Sequence, residues 1–357
     1  MSKLNDVHNI HVIECVKSLT QSTQLKSIPS HYTFKAISPV PSVETTIPIV
    51  DFSSLISTDS HQQSEAIRGL AKACQDWGFF TVINHGIPDS LMSAIIDATT
   101  KFFDLTEEEK KEFESENVLN PIRYGTSFNL KVDKVLFWRD YLKVIVHPQF
   151  HFPSKPQDFS LLAQEYCKRT REMTRELMRA ISISLQLDPN IFDYSLKLEK
   201  EMFQIFIGNL YPPCPEPEMA MGLPPHSDHG LLTVLIQNQV AGLQILHDGK
   251  WVGVGVSQHP NSFLVNVGDH LEILSNGRYK SIVHRATVNN ASTRISIAIA
   301  HGPSIDSVVS PIEELVIGDE GSSEYMSMRY GDYIKLQQEN KLDLKTCLDR
   351  VRVQAFN

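Results

Sequence analysis

The chain has 357 residues, 41% of them hydrophobic, with 33 Lys and Arg against 42 Asp and Glu and a formal charge of −9. That apolar share can bury a substantial core, and an acidic chain with no long block of like charge argues against nucleic acid or an anionic membrane as main partner. No stretch approaches the roughly 20 apolar residues of a membrane-crossing helix, the first six residues lack signal- or transit-peptide character, and the scattered Cys15, Cys74, Cys167, Cys214 and Cys347 read as reduced thiols in a cytoplasmic protein.

Residues 1–46 read as a leader. Ile13, Val16 and Leu19 share one helical face and predict a helix over 9–22. The Pro-rich stretch 29–48 predicts an extended connector. An N-terminal region over 47–150 should hold a first strand and turn from 50 and a helix over 62–77 that delivers Trp77. A short strand at 79–84, a turn at His85 and Gly86, and helices over 89–103 and 106–113 follow. The last of these starts with Thr106 as N-cap and Glu109 three residues on, a capping box. Over 151–200 the main feature is one long amphipathic helix, 156–187, with Leu161, Leu162, Tyr166, Met173, Leu177 and Ile181 on one side.

From 201 to 305 the pattern changes to short apolar runs broken by Gly, Pro, Asn and Asp. Strands are expected at 203–210, 232–237, 243–247, 250–254, 263–267, 279–284 and 294–301. Their even spacing points to a double-sheet jelly roll. A C-terminal extension, 306–357, should place helices at 323–335 and 342–350 back over the barrel.

The chemistry concentrates in that core. His226 and Asp228 stand two residues apart, His284 lies downstream, and Arg294 and Ser296 follow. Residues i and i+2 of a strand point the same way, so His226 and Asp228 can share one metal. Two imidazoles and one carboxylate form the set that holds non-haem Fe(II) on one face and leaves the other open. Three protein ligands with an open position also suit catalytic zinc. Arg294 offers a planar fork of donors suited to a carboxylate, with Ser296 on the same side. A small di-acid that chelates the metal at its other end is therefore expected; the alternative for Arg294 is an internal salt bridge. The other histidines read as structural. His85 is a turn residue, His229 has opposite strand parity to His226 and should point away, and His270 begins a short helical turn. Val252-Gly253-Val254-Gly255 lacks the Lys and the strand-to-helix context of a phosphate loop.

Several longer runs occur in a fixed order. Ile47-Pro48-Ile49-Val50-Asp51, Trp77-Gly78-Phe79-Phe80 and Asn84-His85-Gly86-Ile87 come first. Asn209-Leu210-Tyr211-Pro212-Pro213-Cys214-Pro215 and Pro225-His226-Ser227-Asp228-His229-Gly230-Leu231-Leu232-Thr233 follow. Gly242-Leu243-Gln244, Asn266-Val267-Gly268-Asp269 and Ser275-Asn276-Gly277-Arg278-Tyr279-Lys280-Ser281 complete the series. Over residues 45–350 the chain resembles the plant 2-oxoglutarate- and Fe(II)-dependent dioxygenases, the superfamily of flavanone 3-hydroxylase and anthocyanidin synthase.

The resemblance implies an all-β core with helices: a distorted, cupin-like double-stranded β-helix with a helical N-terminal region and C-terminal helices. It implies Fe(II) on His226, Asp228 and His284. It places the distal carboxylate of 2-oxoglutarate on Arg294, Ser296 and Tyr211, with Asn209 near metal and cosubstrate. O2 is the oxidant and ascorbate the expected reductant. The substrate would lie between Phe128, Phe137, Trp138, Tyr141 and Leu142 on one side and Ala298 and Ala300 on the other. Many flavonoid-oxidising relatives carry Phe at the position of Ala300, and some anthocyanidin-forming members carry Lys at that of Ile207, so no flavonoid is implied. The implied activity is hydroxylation of a small, largely apolar plant specialised metabolite, a phenolic, terpenoid or alkaloid, with release of succinate and CO2. O-demethylation or desaturation on the same machinery, an ascorbate-requiring oxidase of the ethylene-forming type and an inactive ligand-binding relative are the rival readings. A monomer working on a small molecule, without nucleic-acid or membrane partners, is expected.

Overall fold

Val, Ile, Leu and Phe in short runs suit a pleated, half-buried surface, and such runs build two sheets facing one another. The computed structural model describes residues 15–21, 25–34, 44–115, 117, 119–128, 133–256, 259, 261–318, 322–339 and 343–353. The strands are β1 (Glu44–Thr45), β2 (Ile49–Asp51), β3 (Phe79–Ile83), β4 (Ile122–Thr126), β5 (Asp140–His147), β6 (Phe203–Tyr211), β7 (Leu223–His226) and β8 (Leu232–Gln237). They continue as β9 (Leu243–His247), β10 (Lys250–Val254), β11 (Phe263–Val267), β12 (His284–Ala286), β13 (Arg294–Gly302) and a separate two-stranded antiparallel pair, β14 (Val308–Val309) with β15 (Met328–Arg329). The large sheet runs β2-β3-β11-β8-β13-β6-β5-β4 and the small one β1-β10-β9-β12-β7. This is the expected jelly-roll core.

Strand alternation divides the large sheet into two faces. Leu142, Val144, Phe206, Leu210, Ile295, Ile297 and Ile299 belong to the main hydrophobic core, together with Phe102, Phe103 and Phe159 from the helices. Each fully buried side chain of this size contributes roughly 1.5–3 kcal/mol. Gly208 shows how close the layers come: a Cβ there would sit 2.9 Å from the Thr99 methyl. The opposite parity (Tyr141, Lys143, Ile207, Asn209, Arg294, Ser296, Ala298) lines a cavity between the sheets.

The long helix runs Phe159–Ser184, with Tyr166, Met173, Leu177 and Ile181 buried. Leu161 is 68% exposed, contrary to expectation. It stands five residues before Tyr166, about 140° around the helix, whereas Leu162 stands only about 40° away. The capping box of Thr106 and Glu109 is present on helix Glu107–Lys110. Val16–Gln21 is helical, and residues 9–14 of the expected N-terminal helix lie outside the described ones. The C-terminal helices are Tyr330–Glu339 and Thr346–Arg350, later than expected.

The expected strand over 279–284 is a strand only from His284. The amides before it are satisfied elsewhere: Ser281 N donates to the Glu272 carboxylate (2.7 Å), Tyr279 N to Ser275 Oγ (3.1 Å) and Lys280 N to the Cys74 carbonyl (3.4 Å). Side chains and a helix end thus replace the ladder. Strands β4, β5 and β7 were not anticipated. Among the described residues no helix is long and apolar enough to cross a membrane, and all five cysteines are free.

Candidate active site

β7 and β12 pair antiparallel in a register that sets His226 directly opposite His284. The ring centroids are 4.3 Å apart. β7 ends at His226, so strand alternation does not deliver Asp228. The loop turns it back instead, held by the amide of Asp269 donating to the Asp228 carbonyl (2.7 Å). Asp228 Oδ1 then lies 3.7 Å from Nε2 of each histidine, and the three candidate ligand atoms fall within 4.8 Å of one another.

Surrounding groups prepare this set for a cation. Nδ1 of His226 donates to the Pro224 carbonyl (2.8 Å) and Nδ1 of His284 to the Ile282 carbonyl (3.1 Å). Each bond directs the Nε2 lone pair toward the shared point. Phe79 stands edge-on to His284 at 5.5 Å. Asn266 donates to Asp228 Oδ2 (2.8 Å), which leaves Oδ1 for a metal. Burial and the neighbouring His284 push His226 down to about 3. Burial alone would raise Asp228, but the two imidazoles and the hydrogen bond from Asn266 outweigh it and pull the carboxyl down to about 2. Neutral imidazoles and an ionised carboxylate are the forms that bind a divalent cation.

On β13, Arg294 faces Tyr211 and Ser296 faces Asn209 across the β6 register. Arg294 is 2% exposed. Its Nε and Nη2 donate to Gln237 Oε1 (3.2 and 2.7 Å), and its guanidinium lies over the Tyr211 ring at 5.0 Å. Gln237 is neutral, and among the described residues no carboxylate pairs with Arg294. Nη1 is buried without a protein partner, an orphaned cationic donor available to a ligand. Gly242 makes room for it: a Cβ there would lie 2.9 Å from the Arg294 side chain. Asn209 Nδ2 approaches Ser296 Oγ at 3.4 Å.

Both groups open into one cavity of about 150 Å³. Phe128, Tyr141, Ala298 and Ala300 line it, but Phe137, Trp138 and Leu142 do not. Leu142 follows Tyr141 on a strand and so faces the helices. Phe137 stacks on Phe34 at 5.9 Å. Trp138 donates to the Pro212 carbonyl (3.2 Å) and meets Tyr32 edge-on. Sequence reasoning missed Arg123, Arg139, Lys143 and Asn266, which also border the cavity. The signal for β5 was legible: Asp140-Tyr141-Leu142-Lys143-Val144-Ile145-Val146 is a short, mostly apolar run rich in aromatic and β-branched residues. His85 closes a turn through the Ile87 amide (3.1 Å). His229 Nδ1 and the Tyr330 hydroxyl are 2.8 Å apart.

Known proteins resemble this chain in sequence and fold. The model of the 2OG-Fe(II) oxygenase superfamily matches residues 199–303, and that of the "non-haem dioxygenase in morphine synthesis N-terminal" region matches 47–164. The 2-oxoglutarate-dependent dioxygenase 19 of Oryza sativa subsp. japonica is 48% identical over 308 residues, covering 86% of this chain and 90% of that protein. The chain belongs to the 2OG-Fe(II) oxygenase superfamily. Another relative of this oxygenase is thebaine 6-O-demethylase of Papaver somniferum, 36% identical over 99% of each chain. Among solved structures, JOX2 in complex with 2OG, Fe and JA superposes with a TM-score of 0.86 at 32% identity, over 96% of this chain and 98% of that one. The 2OG-Fe(II) oxygenase is thus an oxidoreductase that uses Fe(II) and 2-oxoglutarate on a small-molecule substrate. Membership decides against zinc.

Proposed function

We propose that this oxygenase hydroxylates a small metabolite with an apolar carbon skeleton, with His226, Asp228 and His284 as iron ligands. The observation that carries the reading is the unpartnered Nη1 of Arg294 in the cavity that also holds the triad. In this reading Arg294 grips the distal carboxylate of 2-oxoglutarate, with Ser296 and Tyr211 beside it. Bound iron and 2-oxoglutarate supply the oxidising power, with succinate and CO2 as by-products. The chain's own residues orient and exclude. Asn266 holds Asp228 in place, Phe79 braces His284, and Leu223, Leu235, Leu243 and Ile207 give the reacting carbon a dry wall.

The likeness to a 6-O-demethylase favours a second reading, oxidation at a methoxy carbon. The same residues serve, because a hydroxylated methoxy group collapses to formaldehyde and an alcohol. The test is a screen of plant phenolics, terpenoids and alkaloids for substrate-dependent succinate, with product mass and formaldehyde read in parallel. A gain of one oxygen is expected. Formaldehyde release selects the second reading, and no substrate-dependent succinate with any compound overturns both.

A further inference from the structure

We infer that the substrate is a small carboxylic acid whose carboxylate sits among Arg123, Arg139 and Lys143; this rests on the oxygenase reading above, which assigns Arg294 to 2-oxoglutarate. Arg123 on β4 and Lys143 on β5 are directly opposite in register. Lys143 faces Ile207 on β6, which faces Ala298 on β13. The cluster is therefore in the same cavity wall as Ser296 and Arg294, two strands or more to the side, at about 4.8 Å per strand.

Every recorded partner of the three cations is neutral. Arg123 donates to the Ser115 carbonyl (3.2 Å) and to the Tyr141 hydroxyl (3.1 Å). Arg139 donates to Asn209 Oδ1 (3.2 Å) and the Ser127 carbonyl (2.7 Å), and its Nε is buried without a partner. Lys143 donates to Gln338 Oε1 (2.7 Å). Both guanidiniums lie over the Tyr141 ring, at 5.8 and 5.0 Å. Among the described residues none of the three forms an ion pair. Neighbouring Asp140 is turned away, its oxygens taken by the amides of Val16 and Lys17 and by Thr126. Among the described residues Asp228 is the one acid lining the cavity, and it belongs to the proposed metal set.

Three enclosed cations without a counter-anion are costly unless a ligand brings one. The strain is visible at Lys143: burial and the two guanidiniums push its ammonium down to about 7. His229 is the other titratable group that feels it. The free donors, Nε of Arg139 and the two Lys143 hydrogens not given to Gln338, suit the two oxygens of a carboxylate. Ile207, Ala298, Ala300 and Phe128 border the same space and suit a hydrocarbon body between that carboxylate and the metal set.

The test uses the full chain with Fe(II) and saturating 2-oxoglutarate under argon, which keeps Arg294 occupied. It is titrated calorimetrically with phenylacetate, cinnamate and cyclopentylacetate, with their amides, and with benzyl phosphate. At least one acid should bind about tenfold or more tighter than its amide, the scale of a lost charge-assisted bond. Lys143→Met and Arg123→Met should each remove most of that preference. At pH 8 the native protein should take up a proton on binding, seen as buffer-dependent heat, because an anion restores the charge of Lys143. Lys143→Arg should keep the preference and lose the proton uptake, which a merely structural role would not produce. Equal binding of acids and amides, binding of none of the acids, tighter binding of benzyl phosphate, or a preference that survives both Met variants overturns the inference. Amides that drive succinate release as well as acids would sink this inference alone. Selective acid binding with no succinate from any compound would sink the hydroxylase reading alone.

Discussion

Arg294 stands on β13 hydrogen-bonded to the neutral Gln237 with its Nη1 unpartnered, while Arg123 on β4 and Arg139 just before β5 lie over the Tyr141 ring, with Lys143 two residues beyond that tyrosine on β5. Both groups face the same cavity from the same sheet. The first is a single guanidinium held in place by Gln237, which suits the proposed grip on a cosubstrate used in every turnover. The second is a cluster whose charges repel one another until something neutralises them. One cavity thus carries a preorganised end and an electrostatically incomplete end, with the metal ligands shared between them.

The division breaks most completely at the metal. His284→Ala removes one of three protein donors, and loss of even an outer partner of a metal ligand costs roughly 10–100-fold. Succinate formation should fall by at least about a hundredfold, while the melting temperature of the metal-free protein stays close to native because His284 stands on the small sheet, outside the main hydrophobic core. Undiminished turnover in this variant would remove His284 from the site.

Arg294→Lys sharpens the contrast between the two ends. It keeps the charge but loses the planar fork, so the 2-oxoglutarate requirement should rise roughly tenfold to a hundredfold. The acid-over-amide preference at the other end should be unmoved. A titration against 2-oxoglutarate that matches the native one would assign Arg294 another partner.

Ala300→Phe probes the space between the ends. Ala300 is 6% exposed, shares parity with Arg294 and Ser296 and borders the cavity. Added volume in a packed interior costs about 1–3 kcal/mol, so oxidation of the native substrate should drop about tenfold, with a smaller change in the 2-oxoglutarate titration. Equal losses in both would place the ring against the cosubstrate.

The smallest effect belongs to the outer face of the same strand. His301 on β13 is fully buried against Gln204 and Thr174, and burial pushes it down to about 3. An unfolded histidine titrates near 6.5, so between 6.5 and 3 the unfolded chain binds one more proton than the folded one. Stability should therefore fall as pH drops below 6.5, by about 1.4 kcal/mol per unit from this residue. Urea midpoints between pH 7 and 5 should be flatter in His301→Gln. Identical slopes would mean that His301 is protonated in the folded protein.

The chain by itself marked out which residues could carry the chemistry and, for Arg294 and Ser296, that they share one side of a strand. His226, Asp228, His284, Arg294 and Ser296 could be picked out because ligand types and the two-residue period are local properties, and the capping box at Thr106 is local too. Tertiary structure decided who meets whom. The register of β7 on β12, not strand alternation, set His226 against His284, and a loop past the strand end supplied Asp228. Period two forbade Tyr141 and Leu142 from sharing a pocket, yet only the sheet order showed which of them faced it. Burial of Glu272 drew the amide of Ser281 out of an expected strand. The cationic cluster was invisible for the same reason. Arg123, Arg139 and Lys143 are ordinary charges along the chain, and pairing between β4, β5 and β6 alone turns them into neighbours. Side-chain parity follows from the bonds of one residue to the next, whereas cross-strand company follows from a register that distant segments settle only by packing together.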